Sequence, residues 1–483
     1  MAMWHKFPCI YEVHTRVWLG ELALKMGEPI TLANVPETEF LRWKELKVDF
    51  LWLMGVWEES AASRACALGH QGLWAEYRRA LPDVEERDVG ASPFAIASYT
   101  VSQALGGESA LLKFRRKLEQ YGIGLLLDFV PNHVARDCEW LKMHAEYFIA
   151  VPEHIARHRP DEVVSYEGQY FACGKDPYFP AWTDTLQLNY ANTALHAAMR
   201  NVLKRIATLC DGVRCDMAML ILQDIFNRNW GEMGIEMKEE FWKRAIDEVK
   251  SQFPHFLFIA EAYWDTEWTL QQHGFDFVYD KRLYDRIRSQ DIEGLKAHLQ
   301  ADVRYQQKLI RFTENHDEAR ALTAFGANHR AAALLTHTVI GAHLLHDGEN
   351  EGRRIKLPVQ LRRRMAEEPD QDIMDFYHRL SHLWNNSAVK NGDFRLLEGY
   401  SSHRIIGFER KSGGHTGHIL VFVNLTSESC ESYYPSLALS HITDYEHIEV
   451  FVTDKRKSPQ FELCQSGFLV RLRPNEGLAF IVR

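Results

Sequence analysis

Short apolar runs recur through the first two thirds of the chain, and they limit the fold more than any other feature. They lie at Pro8–Val13, Phe50–Met54, Gly124–Phe129, Gly212–Cys215, Phe256–Ala260, Phe275–Tyr279, Leu309–Phe312 and Val339–Leu345. Each is bounded by polar residues or glycine, as a strand buried on both faces should be. The stretches between them carry helical spacing. Between Asn192 and Leu209, for instance, Leu195, Met199, Val202, Leu203, Ile206 and Leu209 recur at steps of three or four. Eight such strands alternating with helices predict an α/β fold, a (β/α)8 TIM barrel. An open doubly wound sheet shares the pattern and stays the alternative.

Two segments depart from this alternation. Residues 134–190 hold aromatics, proline and glycine without a clear strand-helix period, which predicts an inserted subdomain after the third strand. Beyond Asn391 the runs Arg404–Glu409, His418–Asn424, His447–Val452, Phe468–Leu472 and Leu478–Val482 are short and separated by turn residues. They predict a C-terminal antiparallel β-sandwich over 392–483, after a barrel over 1–391.

A net charge of −10 gives no overall attraction to nucleic acid or an anionic membrane. No apolar run reaches the ~18 residues that span a bilayer, and the N-terminal stretch lacks the features of a secretory leader. The cysteines, at 9, 66, 138, 173, 210, 215, 430 and 464, form no CxxC pair. That usage fits reduced thiols and a cytoplasmic location, not a disulfide framework or zinc site. The run Arg362-Arg363-Arg364 reads as a solvated or ion-paired surface.

The chemistry is concentrated at the ends of four predicted strands. The third reads LLLDFVPNH, with Asp128, Asn132 and His133; the fourth reads GVRCD, with Arg214 and Asp216. The fifth reads FLFIAEAYW, with Glu261, and the seventh IRFTENHD, with His316 and Asp317. A parallel barrel carries all C-terminal strand ends to one rim, so Asp216, Glu261 and Asp317 converge there. Clustered carboxylates repel and lose hydration unless their protonation states separate or function requires them. Metal binding and glycosidic cleavage both use such a cluster. Arg214 favours the second, because it shares a strand face with Asp216. A cation there is expected to lower the Asp216 pKa, and it would repel a divalent metal. Glu261, between an apolar strand and Tyr263 and Trp264, is expected to be desolvated and raised, as a general acid requires.

DFVPNH, GVRCDMAML, the Glu of FIAEAYW and FTENHD, in this order, resemble the signature motifs of the α-amylase family of glycoside hydrolases, family 13. IYEVHTRVW, VDFLWLMGVWE and IGAHLLHDGE extend the resemblance to the first, second and eighth strands. It implies a retaining mechanism on α-glucosidic bonds of α-glucans or maltooligosaccharides. By the same resemblance, Asp216 is the nucleophile, Glu261 the acid/base and Asp317 the stabiliser of the transition state. His133 and His316 would bind sugar hydroxyls, Arg214 would orient Asp216 and Asp128 would buttress Arg214. No cofactor is implied. Duller roles stand beside these: Asp128 and Asn132 satisfying backbone groups, the histidines packing. Trp57, Trp74, Tyr178, Trp182 and Trp264 fall in rim segments and are divided between sugar stacking and core.

Three positions depart from the family pattern. Met219 and Leu220 stand where Lys-His often follows the nucleophile, which predicts a less polar leaving-group side. Phe94 and Ala95 replace the Tyr-Asp of the sugar platform, keeping stacking and losing polar contacts. Gln187 stands where an Asp often sits, which puts calcium binding through Asn132 in doubt. The functional alternatives are an α-glucosyl transferase of the same chemistry, a non-catalytic carbohydrate-binding scaffold, and a metal-dependent barrel hydrolase.

Overall fold

The structure, a computed structural model, describes residues 4–413, 417–435, 448–464 and 467–482. The apolar runs form strands β1 (Cys9–His14), β2 (Phe50–Met54), β3 (Gly124–Phe129), β4 (Gly212–Cys215), β5 (Leu257–Ala260), β6 (Phe277–Tyr279), β7 (Leu309–Arg311) and β8 (Ala342–His346). They close into a parallel barrel in chain order, with β1 paired to both β2 and β8. Closure excludes the open sheet. Strand β8 starts three residues later than its apolar run because Gly341 turns the chain at φ 113°. A Cβ there would meet the Leu309 carbonyl oxygen at 2.4 Å, so only glycine fits.

Ile10, Trp52, Leu126, Ile259, Ile310 and Leu344 fill the barrel interior beneath Arg214. Leu126 and Leu127 are completely buried, and each fully buried leucine stabilises the fold by ~1.5–3 kcal/mol. Outside, the helix Thr193–Ala207 is capped by the Asn192 side chain, which accepts from Ala194 N–H. Its Leu195, Met199, Leu203 and Ile206 face inward, as their spacing predicts.

After β3 the chain leaves the barrel. His133–Ala135 pairs antiparallel with Thr185–Gln187 at the base of this excursion. Ala150–Val151, Gln169–Ala172 and Val163–Tyr166 form a small three-stranded sheet beyond it.

The C-terminal part is a pair of antiparallel sheets. Its strands are β9 (Asp393–Leu397), β10 (Ile405–Lys411), β11 (His418–Asn424), β12 (Cys430–Tyr434), β13 (Ile448–Val452), β14 (Gln460–Cys464), β15 (Gly467–Leu472) and β16 (Gly477–Val482). One sheet runs β9-β10-β11-β16-β13 and the other β12-β15-β14. Phe422, Phe468, Val470 and Phe480 pack between them. His447, expected to begin a strand, lies outside the described residues. The sequence does not announce β9, β12 and β14, each of which holds an edge of its sheet. β9 and β12 mix exposed and buried residues in place of an apolar run. The buried Arg410 ties this part to the barrel by donating to the carbonyls of Thr338, Val389 and Gly392, each at 3.0 Å.

All eight cysteines are free thiols. Among the described residues no helix is long and apolar enough to cross a membrane. Each arginine of the 362–364 run is ion-paired: Arg362 to Glu59, Arg363 to Asp88 and Arg364 to Glu21 and Asp347.

Candidate active site

Parallel pairing brings the predicted residues to one end of the barrel. Asp216 N–H donates to the Phe129 carbonyl at 2.9 Å, and Glu261 N–H to the Cys215 carbonyl at 3.1 Å. Asp216 and Glu261 therefore extend adjacent strands. Asn315 accepts from the backbone N–H groups of Asp317 and Glu318, at 2.9 Å each, and so fixes the loop after β7.

Arg214 is the centre of the site. It is 1% exposed, with Nη1 2.7 Å from Asp216 Oδ1 and Nη2 2.7 Å from Glu261 Oε2. Sequence spacing pointed to the first contact alone. One guanidinium thus spans both carboxylates, and their nearest oxygens are separated by no more than its width and two short contacts. Trp52, Phe94 and Tyr279 surround it, with ring centres 5.3, 5.1 and 5.7 Å from its carbon.

The expected buttress is looser. Asp128 stands 3.8 Å from Arg214, and its carboxylate accepts from Trp52 Nε1 at 3.2 Å and from Gly55 N–H at 3.4 Å. Burial pushes the Asp128 carboxyl up to about 7, against the pull of Arg214 and His316.

Glu261 is held on both oxygens. Met217 N–H donates to Oε2 at 2.6 Å and the Tyr263 hydroxyl to Oε1 at 2.9 Å. Met217 can aim its N–H there because it turns left-handed, at φ 42°, directly after Asp216. Such a conformation costs on the order of 1–3 kcal/mol in a non-glycine residue and is typical of functional sites. Burial raises the Glu261 pKa to about 7, with Arg214 opposing and Asp216 and Asp317 assisting. That agrees with the sequence expectation.

Asp216 does not follow its expectation. Arg214 does pull its pKa down, but burial outweighs the cation and the net shift is upward from 3.8. The strand face places the charge correctly; it does not show how dry the strand end is.

Asp317 keeps a 45% exposed side chain, and its Oδ2 lies 3.0 Å from His316 Nε2. The surrounding protein works to raise it, but the His316 cation, with Arg214 and Lys356, holds the carboxyl well below its usual range. His316 gives its other nitrogen to Glu12 Oε1 at 2.5 Å. Burial opposes the imidazolium, yet Asp317 and Glu12 lift the His316 pKa well above 6.5. Both ring nitrogens therefore face carboxylates. His133 contrasts with it: burial lowers its pKa to about 4, and its ring packs on Trp182 at 4.9 Å.

Phe94 reaches the site through a pinned loop. Gly90 N–H donates to the Gln360 carbonyl at 2.7 Å, and Ala91 N–H to Glu59 at 2.6 Å. Its ring lies 5.1 Å from that of His316, at 33°. Ala95 and Pro93 turn the other way, toward a cavity of about 390 Å³ that Arg16, Glu59 and Arg362 also line.

The remaining aromatics divide. Trp57 is 5% exposed and donates to the Asp128 carbonyl, and Trp74 packs on Tyr77 in a satellite cluster. Both serve packing. Tyr178 is 60% exposed and meets Trp264 edge-on at 4.9 Å, and the Trp264 ring lies 6.4 Å from that of Tyr263. Met219 and Leu220 correct an expectation: both are fully buried and do not line the leaving-group side. Met217 is the residue that turns at the mouth.

The residues do not fit calcium. Gln187 Nε2 donates to Asn132 Oδ1 at 3.0 Å and to the Asn132 carbonyl at 2.9 Å. Asn132 Nδ2 returns a bond to Gln187 Oε1 at 3.2 Å. Calcium takes ~6–8 oxygen ligands, whereas here an amide N–H group points at the oxygens a cation would need. A chelator is accordingly expected to leave the melting temperature unchanged. Gln187→Asp should lower it, by removing donors from a fully buried pair at ~1–3 kcal/mol for each group left unpaired. A chelator-induced fall in melting temperature would contradict this account.

Sequence reasoning named Tyr263 only as an apolar neighbour of Glu261, not as its hydrogen-bond donor, and did not single out Glu12, Trp52 or Tyr279. Tyr263 had a signal, since it follows Glu261 at the spacing by which Asp216 follows Arg214. Glu12 had another, as the lone acid in an otherwise apolar run.

Residues 44–382 match the family described as alpha amylase, catalytic domain. An α-amylase, MalA, of Haloarcula japonica is 24% identical over 362 residues, which cover 73% of this chain and 45% of that protein. The chain thus matches under half the length of this relative. A maltogenic α-amylase, AmyB, from Thermotoga neapolitana superposes with a TM-score of 0.70 at 19% identity, covering 100% of both chains. An α-amylase from Lactobacillus plantarum gives 0.68 at 17%, covering 99% of each, and a debranching enzyme from Nostoc punctiforme 0.69 at 16%, covering 100% of each.

Proposed function

This chain belongs to the α-amylase family of glycoside hydrolases, and we propose that it cleaves α-glucosidic bonds of α-glucans or maltooligosaccharides with retention. The observation that carries the reading is the single guanidinium shared by Asp216 and Glu261, whose environments differ. Retaining enzymes hold their two carboxyls ~5–5.5 Å apart, against ~6.5–9.5 Å for inversion. Arg214 brings both carboxyls within reach of one glycosidic bond, and retention is taken from the resemblance of the GVRCD and FIAEAYW segments to the family's motifs.

In this mechanism Asp216 attacks the anomeric carbon while Glu261 protonates the departing oxygen. Glu261 then takes a proton from the incoming water, which releases the sugar from Asp216. Arg214 keeps Asp216 oriented along its Nη1 contact. Asp317, held ionised, binds hydroxyls of the distorted sugar, and Phe94 supplies an apolar face beneath it. The protonated His316 keeps its charge beside Asp317 at the edge of the sugar site, and the neutral His133 offers a hydrogen-bond partner to a sugar hydroxyl. The free thiols support a reducing, cytoplasmic setting.

The acid limb of the rate profile is assigned to ionisation of Asp216, displaced upward from 3.8, and the alkaline limb to Glu261 near 7. Glu261→Gln tests the acid. Substrates whose leaving groups need no proton should retain the first step, while ordinary glucosides lose ~10²–10⁴-fold. Equal loss across all leaving groups would count against Glu261 in this role.

A transferase is the second reading. The exposed Tyr178, beside Trp264 on the Glu261 side, offers a face on which an acceptor sugar can stack. Product analysis with and without added maltose separates the two: longer products only with the acceptor favour transfer.

A further inference from the structure

Tyr11 directs its hydroxyl to Asp347 at 2.8 Å, so strand alternation turns its neighbour Glu12 the opposite way, into the barrel. Glu12 is fully buried there, in register with Trp52 on one side and His346 on the other. Ile10, two residues earlier on the same face, is part of the apolar interior. A carboxylate in that position loses hydration, which must be offset by a specific partner. Among the described residues its hydrogen bond is to His316 Nδ1, at 2.5 Å. The opposite ring nitrogen lies 3.0 Å from Asp317 Oδ2. Phe94 at 5.1 Å and Trp52 at 5.6 Å confine the ring between them. The result is an unbroken line from a carboxylate of the first strand, through an imidazole, to a carboxylate at the mouth.

We propose that Glu12 is a positioning residue for the reaction: it fixes the ring and the charge of His316, and through that ring it holds the Asp317 carboxylate. The proposal rests on the glycosidase reading for its kinetic consequences but not for the contact itself. Glu12 touches no reacting atom. It leaves His316 a single orientation and keeps a cation beside Asp317. The titratable groups that face His316 are Glu12 and Asp317 in contact, the carboxyls of Asp128 and Asp216, and the rings of His14 and His346, which burial keeps neutral.

Glu12→Gln keeps the shape and loses the charge. It should lower kcat/KM ~10–100-fold, the effect of removing the outer partner of a functional histidine in metal sites. The alkaline fall of the rate profile, set by Glu261 in the wild type, should also begin at lower pH, because His316 would now shed its proton within the same range. A packing role would not move that limb. Glu12→Gln with wild-type kcat/KM and an unmoved profile would overturn the proposal. A substrate-free measurement stands beside it: nitrogen-15 NMR of histidine-labelled wild type, with His316 assigned by loss of its signals in His316→Gln. The His316 ring should stay protonated well above pH 6.5, and ordinary titration there would overturn the proposal even if Glu12→Gln failed to fold. A wild type inactive on every α-glucoside would instead sink the glycosidase reading, and the titration would still decide the role of Glu12.

Discussion

Asp216→Asn should remove turnover of an α-glucoside by on the order of 10⁴-fold or more, the scale of losing a group on which a covalent mechanism depends. The amide matches the carboxylate in shape and can still accept from Arg214 Nη1, which now lies 2.7 Å from Asp216 Oδ1. What disappears is the nucleophile and one negative charge. Stability should not fall with activity. The fold raises the Asp216 pKa, so the stability linked to this group is present at acid pH and is lost as pH rises through the folded value. At neutral pH the ionised carboxylate is therefore a net burden, and Asp216→Asn should melt at the wild-type temperature or slightly above it. A second consequence concerns Glu261, whose pKa is raised in part by the Asp216 charge. Without that charge the Glu261 carboxyl should titrate lower, a shift readable by infrared difference spectroscopy. Near wild-type activity in Asp216→Asn would remove the mechanism proposed above.

How much of this was legible in the residues varies with the kind of information involved. The barrel was legible because each strand is apolar on both faces, a pattern with few other physical solutions. Its strand ends were legible to a residue or two, and failed where one backbone feature intervened, as at Gly341. The convergence of Asp216, Glu261 and Asp317 followed from strand direction alone. The Glu261–Arg214 contact did not, because it depends on how far a side chain reaches across to the next strand. The sign of the Asp216 shift was misjudged for a related reason. Sequence reveals a charged neighbour two positions away, but it does not reveal that the ring walls of Trp52, Phe94 and Tyr279 exclude water from both groups. Met219 and Leu220 were placed on the leaving-group side by motif position, and the left-handed turn at Met217 instead directs them into the core. Glu12 was hidden by distance, since its partner stands 304 residues away in the chain.

Arg214→Leu should be as damaging as loss of the nucleophile, by a different route. Three acidic side chains, Asp128, Asp216 and Glu261, share this one buried cation. In each, Arg214 is the strongest pull against the burial that raises its pKa. Removing it leaves two contacts unpaired in a region closed to solvent. Removing one partner of a buried ion pair costs ~3–5 kcal/mol, so a large fall in melting temperature at neutral pH is expected. The sign with pH is the discriminating part. Protonation relieves the uncompensated charge, so the deficit should shrink as the medium is acidified. A deficit independent of pH would mean that Arg214 acts through packing. The rate profile should respond too, with its acid limb moving upward as Asp216 becomes harder to ionise. Arg214→Lys separates charge from geometry. It returns one positive charge, and with it part of the lost stability, but an ammonium cannot hold two carboxylates at the two ends of a rigid planar fork. Activity should therefore remain close to that of Arg214→Leu while melting temperature recovers. Restored activity in Arg214→Lys would mean that the pairing of Asp216 with Glu261 across one guanidinium is incidental, and the proposed function would lose the observation that carries it.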